Sequence, residues 1–476
     1  MLHGIEKEEK MSRKSQLLKT ATIYAIGNFA TKILNFIFVP IYTFYVTTAD
    51  MGVFDVYNSV IWMIQPLVVM QIQDGMFRWI LGGEKNKQRI LATGYRYIFF
   101  GLLAMNCTYL LLIQFVGIEY PLLVGLLVNA ICINPVLLQL TRAEQNTHIY
   151  IISSIITTIV TIISNVICVC YLRMGTKGLL LSSLIAIVVS NVYMLVKQPQ
   201  LLQINLMDVL SKKERNELLL YSLMLIPNSF SFWILNSSDK LLIKHYLGED
   251  ANGIYAIATK FPSLIQIIGN VIIQAFTEQA IMNKDADDRK VYYSGLFNQL
   301  STLLLTMTLI FIPITKYVVL WFMADSYSQA YRYSGFLYIA IAFFVFAGFY
   351  GTEYISNKRS ESAMITTIVA AIINVVFNVI FMKKIGLYAA SLSTLVAYIV
   401  LFVIRIIQLR ETFLLNVEYR KLIGLTTLSI VYCIAVDNGS METDLVFLII
   451  GMFFAIYLNY DLILGLVKRL NPKKIR

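Results

Sequence analysis

Charge is what this sequence is shortest of. Lys, Arg, Asp and Glu make up 14% of its 476 residues, where a soluble domain carries about 25%, and the deficit excludes an ordinary globular enzyme. Histidines number three and cysteines five. Cys107, Cys132, Cys168, Cys170 and Cys433 all fall inside apolar stretches with no metal-ligand spacing to a histidine. That pattern excludes a zinc module or a disulfide framework and predicts buried, unpaired thiols. Long polar stretches are missing too, which leaves no room for an extramembrane catalytic domain. No Gly-rich nucleotide-cradling loop is present, so ATP hydrolysis by this chain is not expected. Nor is a cleavable leader expected: Met1 to Lys19 is polar and mixed in charge, and the apolar run after it is too long for a signal peptide.

Present instead is apolar bulk. Hydrophobic residues make up 58% and aromatics 13% of the chain, and the mean hydropathy is +0.69. A bilayer core takes about 20 apolar residues per helix. Such runs occur at 20–45, 52–80, 94–116, 118–140, 148–172 and 177–197, then at 217–246, 251–281, 291–323, 330–355, 360–384 and 386–410, and finally at 418–437 and 444–468. The expected fold is therefore an all-α polytopic membrane protein with about fourteen transmembrane helices. Its net charge of +11 lies between apolar runs, so it suits a membrane surface and not a nucleic acid.

Orientation follows from Lys and Arg in short loops. The N-terminal segment, every second loop and the C-terminal tail together hold 27 basic residues, and the alternate loops hold 5, namely Arg173, Lys177, Lys244, Lys383 and Lys384. Acids such as Asp50, Glu249, Asp437 and Asp444 gather on the poorly basic side. Both termini are expected on the cytoplasmic side of a bacterial inner membrane.

The first twelve spans read as a duplication. The second opens with Tyr45-Val-Thr-Thr-Ala-Asp-Met-Gly-Val-Phe54 and the eighth with Tyr246-Leu-Gly-Glu-Asp-Ala-Asn-Gly-Ile-Tyr255; each has an acidic turn, a Gly and an apolar–aromatic pair. Gly178-Leu-Leu-Leu-Ser-Ser-Leu answers Gly386-Leu-Tyr-Ala-Ala-Ser-Leu, and Ile163-Ser-Asn165-Val answers Ile373-Asn374-Val. Six spans is an even number, so the two halves form a parallel repeat about an axis along the membrane normal. The expected organisation is an N-lobe of six spans over 1–200, an interfacial linker helix over 201–216, a C-lobe of six spans over 217–411, and two further spans with a basic tail over 412–476.

An ionised side chain at bilayer depth costs about 3 kcal/mol or more and normally faces a partner or a wet cavity. Lys32 and Lys260 lie deep in the first and eighth spans. Asp239, Lys240 and Lys316 lie nearer the outer surface, where lysines can snorkel. Asp55 opens the second span, Asp74 and Arg78 close it, and Glu353 ends the tenth. One reading is a cationic cavity between the lobes in which Lys32, Lys240, Lys260 and Arg78 hold a pyrophosphate; the other is that these are interface residues and snorkelling lysines. Asn374 and Asn378 share a helix face at i, i+4. With Asp239, Asp55, Ser391, Ser393 and Thr394 they form either a cation or proton site, or ordinary interhelical hydrogen bonds. Pro40, Pro66, Pro227, Pro262 and Pro313 should kink their spans.

Leu18-Lys-Thr-Ala-Thr-Ile-Tyr-Ala-Ile-Gly27, Val39-Pro40, Thr48-Ala-Asp-Met-Gly52, Asn236-Ser-Ser-Asp239-Lys240, Gly253-Ile-Tyr-Ala-Ile-Ala-Thr-Lys260 and the stretch from Ile373-Asn374 to Gly386-Leu-Tyr-Ala-Ala-Ser together resemble the Wzx-type flippases. These move O-antigen and capsule repeat units and belong to the multidrug/oligosaccharidyl-lipid/polysaccharide exporter superfamily. The resemblance covers nearly the whole chain and rests on the order of degenerate motifs. It implies two six-helix lobes around a cationic cavity, an undecaprenyl-pyrophosphate-linked oligosaccharide as substrate, and alternating access. It also implies a coupling ion, H⁺ or Na⁺, and no other cofactor. Asp239, Asn374 and Thr394 look like counterparts of the ion site of related lipid II flippases, with Asn378 where a sodium-binding relative carries an acid. Membrane lipids and a polysaccharide polymerase are the other expected partners. A cation-coupled drug antiporter of the same superfamily is the alternative, although its cavity should carry acids at depth and not lysines. A membrane glycosyltransferase or polymerase would need a long extracytoplasmic loop.

Overall fold

The computed structural model describes residues 36–83, 86–115, 117–282, 289–356 and 360–464. Among them helices α1 to α16 run in chain order. They are α1 (Thr48–Val68), α2 (Ile72–Gly82), α3 (Lys87–Leu112), α4 (Pro121–Ala143), α5 (Thr147–Asn165), α6 (Gly175–Lys197), α7 (Lys212–Leu223) and α8 (Ile226–Leu247). Then follow α9 (Glu249–Lys260), α10 (Pro262–Met282), α11 (Arg289–Phe322), α12 (Ala330–Ser356), α13 (Ser360–Ile385), α14 (Tyr388–Leu409), α15 (Tyr419–Asn438) and α16 (Met441–Leu458). Eleven stretches are each long and apolar enough to cross a membrane, and two bent helix pairs bring the number to 13. These correspond to the second to fourteenth expected spans. The first, 20–45, lies mostly outside the described residues.

The two bent pairs are α1–α2, at 54°, and α9–α10, at 42°. They are the second and eighth spans, the two that share the opening motif, but the breaks fall at different distances from it: Met70 lies 18 residues past Gly52 and Phe261 only 8 past Gly253. At the first break Met70 and Gln71 adopt left-handed conformations, with φ of 51° and 50°, which no α-helix accommodates. Pro66 sits one turn before this break. Pro262 opens α10 after the second break, and Pro227 is the second residue of α8. These two prolines therefore occupy helix starts, where a missing N–H costs nothing, and not the helix interiors expected of them.

The chain divides into two compact units, residues 1–46 with 53–233 and residues 47–52 with 234–476. In the first, α4 and α6 pack together, α5 lies on α6, and α2 contacts α3, α4 and α7. Ile72, Met76, Ile90, Leu127, Ile131, Leu140 and Leu180 form its core. In the second, α12 is the centre, packed by α9, α10, α11, α14 and α15, and the final helices α15 and α16 lie against α11. Phe297, Phe346, Phe349, Tyr350 and Phe402 stack and meet edge-on around it. The segment Thr47–Gly52 packs into this second unit through facing glycines. A Cβ on Gly52 would strike the Glu249 carbonyl, and one on Gly253 would strike that of Thr48, which explains why both copies of the motif place Gly there.

The connection expected as a linker helix over 201–216 is mostly not helical. One 3-10 turn covers Pro199–Leu201, and α7 begins only at Lys212. The Asn205 side chain takes up the Met207 N–H, and Ser211 with Glu214 forms a capping box that starts α7. Polar side chains that bond to nearby backbone favour turns and caps over helix interiors. Leu201 and Leu210 are buried in the core of the first unit. Three of the five thiols are buried as expected; Cys170 is half-buried and Cys107 is exposed on α3.

Candidate functional site

In the second unit a closed set of polar side chains forms where α8, α13 and α14 meet. Asp239 lies eight residues from the end of α8, about 12 Å along its axis, and is buried. One carboxylate oxygen accepts a 2.6 Å hydrogen bond from Asn378 Nδ2, and the other a 2.9 Å bond from Thr394 Oγ1. Asn378 Nδ2 also reaches Ser393 Oγ at 2.8 Å, and Asn374 Nδ2 reaches Ser393 Oγ at 3.2 Å. Ser238 Oγ donates to Asn374 Oδ1 at 3.2 Å. The i, i+4 spacing puts both amides on one face of α13, and α14 supplies the hydroxyls from successive residues. Asn378 Oδ1 is buried with no hydrogen-bond partner among the described residues.

Beside this cluster lies a cavity of about 120 Å³, lined among others by Asp239, Lys240, Tyr255, Ser263, Thr394 and Tyr398. It is large enough for a few waters. Lys240 is half-buried and lines it. Lys260 ends α9 at the 42° bend, half-buried, and Thr259 and Pro262 on either side of that bend line the cavity.

A cation implied by resemblance must find oxygen ligands here. Asp239 is the single carboxylate of the cluster. The amide N–H of Asn378 fills the position beside it that a second carboxylate would have to occupy. Among the described residues no group of three or more His, Cys, Asp or Glu gathers. As built, the donor set satisfies a carboxylate and fits a hard cation poorly.

In the first unit a larger cavity, about 700 Å³, opens beside the α1–α2 break, lined by Gln71, Asp74, Arg78, Gln139, Tyr221 and Asn228 among others. That volume falls in the usual range for small-molecule sites. Asp74 and Arg78 share a face of α2, yet they form no ion pair. Asp74 accepts from Gln71 Nε2 at 2.7 Å and from Gln139 Nε2 at 2.5 Å. The Arg78 guanidinium lies 4.7 Å from the Tyr221 ring centre, and among the described residues no carboxylate pairs with it. Two amides thus hold the acid and leave the arginine's donors facing the cavity.

The structure brings Asp239, Asn374, Asn378 and Thr394 together, with Lys240 at their cavity. Arg78 stands in the other unit, as does Asp55, which is buried on α1. Lys32 lies outside the described residues. Lys316 overturns its expected snorkelling: it is buried, bonded to the carbonyls of Val436 and Gly439 and paired with Asp444 at 2.7 Å. Asp444 is buried with it and does not sit in a solvated loop. Sequence reasoning missed Gln71 and Gln139, whose signal was an amide one helical turn from a half-buried acid for the first and nothing local for the second. It also missed Arg405, buried and bonded to the Ala347 carbonyl at 2.6 Å, which basic-loop counting had placed in water.

Solved structures share this fold. The chain aligns over 93% of its length with all of "Lipid II flippase MurJ, inward closed conformation", at 14% identity and a TM-score of 0.68. It aligns over 82% of its length with 96% of an inward-facing multidrug resistance MATE family transporter of the MOP superfamily, at 16% identity and a TM-score of 0.57. A MATE protein in complex with MaL6 gives 14% identity and a TM-score of 0.59 over 86% of this chain and 97% of that one. No curated protein matches the sequence. A family model described as polysaccharide biosynthesis protein matches residues 17–277, more than half of the chain, and the chain belongs to that family.

Proposed function

We propose that this chain is a flippase for undecaprenyl-pyrophosphate-linked oligosaccharide repeat units, carrying them across a bacterial cytoplasmic membrane by alternating access for O-antigen, capsule or exopolysaccharide synthesis. The observation that carries the reading is Arg78. Its guanidinium faces a 700 Å³ cavity on the side of the basic loops, with the neighbouring carboxylate occupied by two glutamines. Such an arginine can grip a diphosphate through paired N–H donors, which a lysine cannot reproduce. Membership of a polysaccharide biosynthesis family supports a saccharide substrate, and the fold shared with a lipid II flippase supports a lipid-linked one. In this reading both termini are cytoplasmic, and Lys32, Lys240 and Lys260 are further candidates for contact with the diphosphate.

The coupling ion in this reading is a proton. Ionised Asp239 accepts from Asn378 Nδ2. Once protonated, it can donate to Asn378 Oδ1 after the amide turns over, which satisfies the acceptor of this cluster that has no partner among the described residues. Lys240, Tyr255 and Tyr398 are the other titratable groups lining the adjacent cavity. The test is delivery of lipid-linked sugar to the outer leaflet by Arg78→Ala and Arg78→Lys at matched membrane abundance. A lost charged hydrogen bond of about 1.5–3 kcal/mol corresponds to roughly 10- to 100-fold weaker binding, so Ala should fail and Lys should recover only part. Parental delivery by Arg78→Ala would sink the proposal. A second reading, export of an organic cation, is favoured by one observation: Asp239 lines one cavity together with two aromatic side chains, Tyr255 and Tyr398. Dye efflux lost in Asp239→Asn, with saccharide delivery intact, would select it.

A further inference from the structure

We propose that a cleft between α3 and the connection from α6 to α7 binds the phosphate head of an anionic phospholipid. The cleft holds about 250 Å³ and is lined by Thr93, Arg96, Tyr97, Phe100, Val209 and Arg215 among others. Two guanidinium groups thus meet in one space. Neither pairs with a carboxylate among the described residues; the one polar contact of Arg96 is Met207 Sδ at 3.7 Å. The acids close by in sequence are engaged elsewhere. Asp208 pairs with Arg89 at 2.8 Å, and Glu214 caps α7 through Ser211. Two like charges sharing a cavity repel each other, and an anion between them removes the repulsion.

The wall opposite α3 is fixed in place. Leu210 N–H donates to Thr93 Oγ1 at 3.0 Å, and Tyr95 OH donates to the Leu201 carbonyl at 3.1 Å. Because residues 202–211 are irregular, they fold over α3 and bring Arg215 to Arg96. The surroundings then select the source of the anion. Arg96 lies seven residues beyond Arg89, about 10 Å deeper along α3, at the level where a basic loop gives way to a span. Phe99 and Phe100, one turn further, are each 61% exposed, and Leu202 and Met207 of the connection are exposed as well. Cationic groups at headgroup level with an apolar flank beneath them match both ends of a phospholipid, whereas a free phosphate would use the arginines alone. Basic pockets between membrane helices bind anionic head groups by this combination. The site is separate from Arg78 and from Asp239, and its lipid would brace the one connection between α6 and α7.

The experiment titrates purified full-length protein in detergent with phosphatidylglycerol and counts bound lipid by native mass spectrometry. Each basic group near a membrane surface contributes about 1 kcal/mol, or roughly fivefold in affinity. Arg96→Gln or Arg215→Gln should therefore weaken binding about fivefold and the pair about 25-fold. Arg96→Lys with Arg215→Lys should retain it, and Arg420→Gln with Lys421→Gln should leave it unchanged. Phosphatidylcholine should not bind at this site, and inorganic phosphate at millimolar concentration should not displace phosphatidylglycerol. Equal binding by the parent and the double Gln variant would overturn the site. Displacement by inorganic phosphate would overturn the lipid assignment in favour of a free anion, and preference for undecaprenyl phosphate through the same arginines would overturn it in favour of the transported lipid. Lipid binding is read without transport, so failure here leaves the flippase reading standing, and the reverse holds too.

Discussion

Lys316 and Asp444 offer the most exacting test of the physical reasoning. Both side chains are almost wholly removed from solvent, at 6% and 0% exposure, and they pair at 2.7 Å. The ammonium also donates to the carbonyls of Val436 and Gly439 at 2.7 and 2.8 Å. Three acceptors meet three donors, so the lysine is fully satisfied and ties the turn between α15 and α16 to α11. Removing one partner of a buried pair costs about 3–5 kcal/mol, because the remaining charge is stranded, while replacing both with well-packed neutral groups is close to neutral. Lys316→Met and Asp444→Asn should each destabilise by that amount. At about 2–4 °C per kcal/mol for a unit of this size, the expected fall in Tm is roughly 6–20 °C. The double variant should be more stable than either single variant. The assay is thermal unfolding of the detergent-purified protein followed by size-exclusion fluorescence, arranged as a double-mutant cycle. If the two single losses simply add in the double variant, the pair is not coupled and the argument from burial fails.

Two more substitutions extend the test to the cluster and the arginine. Asn378→Asp places a second carboxylate beside Asp239 where an amide N–H now bonds to it at 2.6 Å; like charges at that distance need a cation, so transport should become sodium-dependent, and sodium should raise the Tm of this variant but not of the parent. Gly351→Ala drives a Cβ into Arg405 Nη1 and should push the guanidinium off the Ala347 carbonyl. That leaves a buried donor unmet at about 1–3 kcal/mol, visible as a lower Tm that Gly351→Ala combined with Arg405→Met partly restores.

Composition and spacing alone determined which stretches become membrane helices, because about 20 apolar residues in a row have no other use in a protein. The 27-to-5 bias in basic residues and the recurrence of one motif some 200 residues apart gave the expected orientation and the duplication, and Asn374 and Asn378 announced one helix face. Contacts between residues far apart in sequence carry no local signature, and these only the tertiary structure decided. Lys316 read as a snorkelling lysine because Asp444 is on another helix. Nothing in the sequence paired Asp74 with Gln139, which is two helices away. The linker read as an amphipathic helix because its leucines were counted without the core that takes up Leu201 and Leu210. The breaks at Met70–Gln71 and before Pro262 turn continuous apolar runs into bent pairs, which hydropathy does not register, since a window of apolar residues scores the same whether the helix through it is straight or broken.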